Sequence, residues 1–330
     1  MAPHGRGKSC IKTLTNAGEP VKAMSGWPYD LITRAATRQM PDGVRAGGRL
    51  DTRFVRCAGR CYTASHMARQ RMGQHFLADS GWQQRILRTL PCHPGDQWIE
   101  IGAGHGEMTR LLAAEGCRVV AIEADPPLAA SLRELVQSDP AAWPGVEVVA
   151  GDVLTTDIPA LADGQFRVYG NLPYYITSPI LHRLFECAGR IASIHIVIQL
   201  EVAERIVAHP GCRDYGYLST ICQFYTKPAI VMRLPPGAFR PPPKVTSALV
   251  QMTLPGERAS LGIGGEDEKR FLEFVQLCFG QKRKTLRNNL RSIVSDEQIR
   301  KAVESNGIRS DARAEQLTIA QFAALFAQLR

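Results

Sequence analysis

Between Gln97 and Ile198 short apolar runs alternate with stretches of helical spacing, and this alternation limits the possible folds more than any other feature of the chain. Gln97-Trp-Ile-Glu-Ile101 reads as a buried strand, followed at once by Gly102-Ala-Gly104-His-Gly106 and a helix over 107–115. A second strand over 118–122 ends on Glu123 and precedes a helix over about 127–137. A third over 146–150 ends in Gly151-Asp152, and a fourth over 166–169 runs into the loop Gly170-Asn-Leu-Pro-Tyr-Tyr-Ile-Thr177. A helix over about 178–187 leads to a fifth strand over 194–198. Strands that alternate with helices pair in parallel, which implies an α/β fold with a doubly wound sheet. Beyond Tyr225 the pattern changes: 229–234 and 247–254 read as two strands joined by a proline-rich loop, an antiparallel edge. The stretch 255–265 reads as a linker, and 266–290, 296–306 and 318–329 as the helices of a small all-helical C-terminal domain.

At 330 residues two folded units are the default expectation. The boundaries read as 67–255 for the α/β domain and 256–330 for the helical one. Residues 1–66, rich in Gly, Arg and Pro, show no sustained period and are expected to be disordered. They share the Arg-rich, acid-poor character of an organelle transit peptide, but Pro3, Pro20, Pro28 and Pro41 interrupt any long amphipathic helix, and a non-native extension upstream of Met67 is the favoured reading. A helix after Asp79 or Ser80 runs to about Leu90.

The formal charge of +9 suggests a polyanionic partner, but residues 1–66 carry 11 of the 40 basic and 4 of the 31 acidic side chains, which leaves the other 264 residues only +2. Affinity for phosphate therefore needs a local patch. Lys282, Arg283, Lys284, Arg287 and Arg291 supply one on the first C-terminal helix, with Arg69 and Arg71 as a second cluster. A solvated helix face would be the ordinary reading of such a run, but placed after the α/β domain the patch reads as a surface for the backbone of a polyanion such as RNA. No run reaches the roughly 18 apolar residues of a membrane span. The nine cysteines are scattered without zinc-finger spacing, which fits free thiols in a reducing cytoplasm, and His93, His182 and His195 lack metal-ligand spacing.

Ligands of an open parallel sheet sit beyond the carboxyl ends of its strands. Four groups fall there: the glycines Gly102 and Gly104, Glu123, Asp152 and Asn171. Glycines permit a tight turn and close backbone approach. Glu123 could take a ribose diol and Asp152 an adenine amine. A dinucleotide enzyme would share the first two features, but the run is GxGxG and lacks the third glycine at the dinucleotide position. An acid at the third strand end fits an adenosine-bearing ligand lying along the strand ends, as S-adenosylmethionine lies in methyltransferases. Asn171 combines an acceptor with donors, Pro173 fixes the backbone, and Tyr174 offers a flat face, a set suited to the exocyclic amine of a base.

The ordered blocks from about residue 68 onward resemble the ribosomal RNA adenine dimethyltransferases, in particular the bacterial enzymes of small-subunit (16S) RNA. They are Gly73-Gln-His-Phe-Leu77, Glu100-Ile-Gly-Ala-Gly-His-Gly106, Ile122-Glu123, Gly151-Asp152, Asn171-Leu-Pro-Tyr174, Gln199-Leu-Glu-Val-Ala-Glu-Arg205, Tyr215-Gly-Tyr-Leu-Ser219, Phe239-Arg-Pro-Pro-Pro-Lys-Val245 and Phe279-Gly-Gln-Lys-Arg-Lys-Thr-Leu-Arg-Asn288. The resemblance implies a Rossmann-like class I S-adenosylmethionine-dependent methyltransferase sheet followed by a helical RNA-binding domain. It implies N6,N6-dimethylation of two adjacent adenosines near the 3′ end of 16S RNA within the 30S subunit, by a cytoplasmic monomer with a role in small-subunit biogenesis. The implied cofactor contacts are His75, Leu77, Gly102, Glu123, Asp152 and Asn171; the family often carries Asn where His75 stands. The implied adenine site is Asn171, Pro173 and Tyr174, with Phe239 as a second stacking face. Methylation of large-subunit (23S) RNA, methylation of DNA adenine, and a ribosome-assembly role exerted mainly by binding are the competing readings; Leu172, between Asn171 and Pro173, departs from the Asn-Pro-Pro-Tyr type of DNA enzymes.

Overall fold

The computed structural model describes the backbone at 55–57 and 60–62, and residues 74–281 and 283–330. Its centre is a seven-stranded sheet. Strands β4 (Gln97–Ile101), β5 (Arg118–Glu123), β6 (Val146–Ala150), β7 (Phe166–Asn171) and β8 (Ile191–Gln199) are parallel, and β9 (Lys227–Leu234) and β11 (Ser247–Thr253) complete it in the order β6-β5-β4-β7-β8-β11-β9. The doubly wound sheet inferred from the alternation is therefore present, and so is the antiparallel edge. Burial explains why these strands were legible: β8 is buried along most of its length, as a central strand covered on both faces must be, whereas β9 at the edge alternates exposed and half-buried positions. The last strand, β11, inserts between β8 and β9 instead of adding to the outside.

Helices α1 (Ser80–Leu87), α2 (Glu107–Ala114), α3 (Pro126–Ser138), α4 (Thr177–Phe185), α5 (Leu200–Val207) and α6 (Tyr217–Tyr225) accompany the sheet. Asp79 caps α1 by accepting from the Trp82 amide at 3.0 Å. Two-residue strands β3 (Phe76–Leu77) and β10 (Phe239–Arg240) pair antiparallel, with Leu77 opposite Phe239, and join the two ends of the α/β region. In the N-terminal part, β1 (Val55–Cys57) and β2 (Arg60–Tyr62) form a short antiparallel hairpin, so the disorder expected over 1–66 does not hold there. Val and Tyr favour extended backbone. The rest of that expectation lies outside the described residues, as do Arg69 and Arg71.

The C-terminal part contains α7 (Arg258–Leu261), α8 (Glu266–Cys278), α9 (Leu286–Leu290), α10 (Asp296–Ser305) and α11 (Ile319–Leu329). Two expectations change here. The helix read over 266–290 is broken: α8 ends at Cys278, and the chain turns through Gly280 before Thr285 caps α9. The linker read over 255–265 is packed against the α/β region. Gly256 N–H donates to the Tyr225 carbonyl at 2.8 Å, Glu257 N–H to Gln223 at 3.1 Å, and Arg258 pairs with Glu268 at 2.5 Å. One apolar core runs from β7 and β8 through α6 into α8 and α11, where Phe224 meets Phe271 at 5.1 Å between ring centres and Phe271 meets Phe326 at 5.6 Å.

Glu100 on β4 is 3% exposed, accepts from the Thr109 hydroxyl at 2.5 Å, and is pushed up to about 8 by burial. A carboxyl whose folded-state pKa lies above its unfolded value binds its proton more tightly in the native state, so stability falls as pH rises from about 4.5 towards 8 and levels off above. Glu100→Gln keeps an acceptor for Thr109 and removes the titration. Denaturant unfolding is expected to show the variant gaining on the parent by up to about 1.4 kcal/mol per pH unit across that window; parallel profiles at pH 5 and pH 8 would show that Glu100 ionises freely.

Candidate active site

A cavity of about 140 Å³ opens beyond the carboxyl ends of β4, β5, β6 and β7. One half is built from Gly102, Ile122, Glu123, Asp152 and Val153; the other from Asn171, Pro173, Tyr174 and Tyr175, with His75 and Phe76 beside them. Seven of the expected site residues, His75, Gly102, Glu123, Asp152, Asn171, Pro173 and Tyr174, therefore meet at one place.

The acids are held by backbone. Glu123 is 4% exposed; its Oε2 accepts from Gly104 N–H at 2.8 Å and its Oε1 from Asp125 N–H at 2.9 Å. These two bonds fix the carboxylate plane and leave a lone pair on each oxygen for a ligand. Gly104 thus acts beneath the wall: its φ is +58°, and a Cβ there would lie 3.1 Å from the Phe76 ring. Asp152 closes a small turn, Oδ1 accepting from Leu154 N–H at 2.9 Å.

Asn171 ends β7, and its Nδ2 donates to the His75 carbonyl at 2.8 Å. That bond decides which way the amide faces, since one N–H is committed and, among the described residues, Oδ1 is left without a partner at the cavity wall. The Pro173 carbonyl already accepts from Ile176 N–H at 3.2 Å and from the Thr177 hydroxyl at 3.4 Å, so Leu172 offers the less occupied carbonyl of the loop. Tyr174 is half-buried, its hydroxyl shares a 2.8 Å hydrogen bond with Ser247, and burial pushes its pKa up. His75 faces it with 5.8 Å between ring centres and is pinned through Nδ1 to the Pro241 carbonyl at 2.7 Å.

Several expected residues stand elsewhere. Phe239 is wholly buried, so it presents no stacking face to the cavity; opposite Leu77 it packs in an apolar core with Leu77 and Leu249. Leu77 is also buried, with its carbonyl taken by Gln83 Nε2 at 2.7 Å. Tyr175, 38% exposed on the wall near Asp152, was not singled out from the sequence, although its place in the same loop as Asn171 was the available signal. The basic patch is not a helix face. Arg283 and Lys284 sit in the turn before α9, Arg287 is on α9 and Arg291 at its end, while Lys282 lies outside the described residues. Asp296 takes Arg291 at 2.7 Å and Arg287 at 3.1 Å, and these guanidinium hydrogen bonds hold its carboxyl down at about 2.

Residues 65–330 match the family described as Ribosomal RNA adenine dimethylase. The chain is similar to Ribosomal RNA small subunit methyltransferase A of Xanthomonas campestris pv. campestris (strain 8004), 43% identical over 257 residues, 77% of this chain and 94% of the relative. The protein of the same name from Xanthomonas oryzae pv. oryzae (strain PXO99A) is 41% identical over 258 residues, with the same shares covered. Among solved structures, the 23S rRNA methyltransferase ErmE superposes with a TM-score of 0.58 at 28% identity, over 77% of this chain and 99% of that one. A dimethyladenosine transferase from Plasmodium falciparum superposes at 0.61 with 22% identity, over 76% and 96%, and supports the fold. The Rossmann-like methyltransferase sheet and helical C-terminal region expected from the sequence are thus those of known relatives, and the chain belongs to the ribosomal RNA adenine dimethylase family.

Proposed function

We propose that this protein dimethylates N6 of adenosines in ribosomal RNA with S-adenosylmethionine, its substrate being two adjacent adenosines near the 3′ end of 16S RNA in the 30S subunit. The observation that carries the reading is Asn171, an amide whose nitrogen is tied to the His75 carbonyl and whose oxygen, among the described residues, is left free at a wall shared with Glu123 and Asp152. The small-subunit assignment draws on relatives that bear that name and are covered over 94% of their length. We assign residues 67–255 to the catalytic module and 256–330 to RNA binding, in a monomer working in the cytoplasm. Among the described residues, no helix is long and apolar enough to cross a membrane.

The donor set fits the cofactor. Glu123, fixed by two amides, matches a ribose diol; Asp152 retains a carboxylate oxygen for an adenine amine; Ile122 and Val153 supply apolar walls. S-adenosylmethionine supplies an electrophilic methyl carbon on its sulfonium. The chain then needs to position the amine rather than deprotonate it strongly. Asn171 Oδ1 and the Leu172 carbonyl accept the two N6 hydrogens before the first transfer, and one of them holds the single hydrogen left before the second, which favours a pyramidal nitrogen whose lone pair is no longer drawn into the ring. Tyr174 offers its face for stacking, worth roughly 1–3 kcal/mol per base. Its phenol, kept protonated by burial and bonded to Ser247, positions the ring and takes no proton. With each transfer an N6–C bond would form as the S–C bond breaks, leaving the donor a neutral thioether, and the amine would shed one proton to solvent.

The test is methyl transfer from labelled S-adenosylmethionine to 30S subunits from a strain lacking this modification, followed by nuclease digestion and nucleoside analysis. N6,N6-dimethyladenosine recovered near the 3′ end of the small-subunit RNA is the expected product. The 28% identity to a solved 23S rRNA methyltransferase favours large-subunit RNA as the second reading, and label found only on 50S RNA would select it.

A further inference from the structure

The segment between β10 and β11 belongs to neither the Glu123 half of the cavity nor the C-terminal patch. It is anchored at three places. Phe239 is buried opposite Leu77, Pro241 takes His75 Nδ1 at 2.7 Å, and at the far end Thr246 accepts from Leu200 N–H at 3.0 Å and Ser247 bonds the Tyr174 hydroxyl at 2.8 Å. Two of these anchors, His75 and Tyr174, line the cavity, so the segment runs along the rim of its Asn171 half. Pro243 is buried in the middle, while Arg240, Lys244 and Val245 are exposed, Val245 by 44%. Among the described residues neither Arg240 nor Lys244 makes an ion pair, in contrast to Arg287 and Arg291, which share Asp296.

We propose that Arg240 and Lys244 are a rigid clamp for the RNA strand on either side of the target adenosine, binding the phosphates that enter and leave the mouth. The proposal rests on the function proposed above. A base drawn out of its stack into the cavity brings its own two phosphates to the rim, and extruding it costs a few kcal/mol that contacts made only by the extruded strand can offset. The backbone of this proline-stiffened loop is already tied to His75 and Tyr174, so binding orders the two side chains and not the loop that carries them. Free cations at this rim add directly to affinity, because no carboxylate has to be displaced first.

The experiment compares the parent with R240A/K244A for binding to a single-stranded RNA oligonucleotide containing two adjacent adenosines, by fluorescence anisotropy at several salt concentrations. Binding of S-adenosylmethionine is measured by calorimetry, and KM for 30S subunits is measured in the transfer assay. Loss of two phosphate contacts is expected to weaken RNA binding about tenfold and to reduce the slope of log K against log salt by about 1.4, at about 0.7 per contact on a single strand. KM for subunits should rise in step while cofactor affinity stays the same, and R240K/K244R should restore the slope. A double-alanine variant with the parent's affinity and slope overturns the clamp, as does loss of cofactor binding together with RNA binding, which would make the loop a structural support. A parent that binds RNA but transfers no methyl group refutes the proposed reaction, and the slope comparison still decides the clamp.

Discussion

Asn171→Ala is expected to lower the single-turnover rate of methyl transfer by about a hundredfold to a thousandfold, the range seen when one preorganised polar group is removed from a reacting centre. The side chain has two duties. Its oxygen is the acceptor proposed for the N6 hydrogens, and its nitrogen satisfies the His75 carbonyl at 2.8 Å. Alanine removes both. Asn171→Asp separates them: it retains an acceptor, but a carboxylate cannot donate to the carbonyl, and two oxygens would face each other across the same gap. The aspartate variant should therefore also fail, with the 74–77 segment loosened. Cofactor affinity should fall by less than about tenfold in either variant, because Glu123 and Asp152 keep their own backbone partners. Single-turnover rates at saturating 30S subunits, with calorimetry of cofactor binding, check both statements; a rate within threefold of the parent would remove Asn171 from the chemistry.

The second large effect is on the fold. Gly256→Ala should destabilise the protein by about 3 kcal/mol, at the upper end of what overpacking usually costs. A Cβ at this position would lie 2.3 Å from the Thr226 nitrogen, 2.5 Å from the Gln223 carbonyl oxygen and 2.6 Å from the Tyr225 carbonyl carbon. All three are backbone atoms at the end of α6, so no side-chain rotation relieves the clash, and the Gly256 bond to Tyr225 must lengthen. Gly264, eight residues on, has nothing within 4 Å of such an atom and serves as the control. Thermal unfolding should show the midpoint of G256A lowered by on the order of 5–10 °C, with G264A close to the parent. Equal midpoints would mean that α6 and the following segment separate easily.

What the sequence revealed depended on whether a physical signal was local. The five parallel strands stood out because burial on both faces demands apolar residues without alternation, and β8 is the clearest case. The acids and Asn171 stood out because a parallel sheet delivers its strand ends to one edge, so their order along the chain predicted that they would meet. Phe239 misled because its partner, Leu77, lies far away in sequence on a strand of two residues, too short to show a period. The single helix read over 266–290 failed at Gly280 and Thr285, where a turn and a cap outweigh the continuing apolar spacing. The basic patch was counted by charge alone, and counting cannot show that Asp296 folds back onto Arg287 and Arg291.

The continuous core from β8 through Phe224 and Phe271 to Phe326 bears on how such enzymes can diverge. A recognition module hung on a flexible tether can be exchanged between relatives without regard for its host. Here the helices that follow Gly256 complete the hydrophobic interior of the α/β region, so a graft from another family member must bring side chains that fit Phe224 and its neighbours. Sequence change is therefore accommodated more readily in exposed turns, such as the one that carries Arg283 and Lys284, than by replacing the helices beneath them.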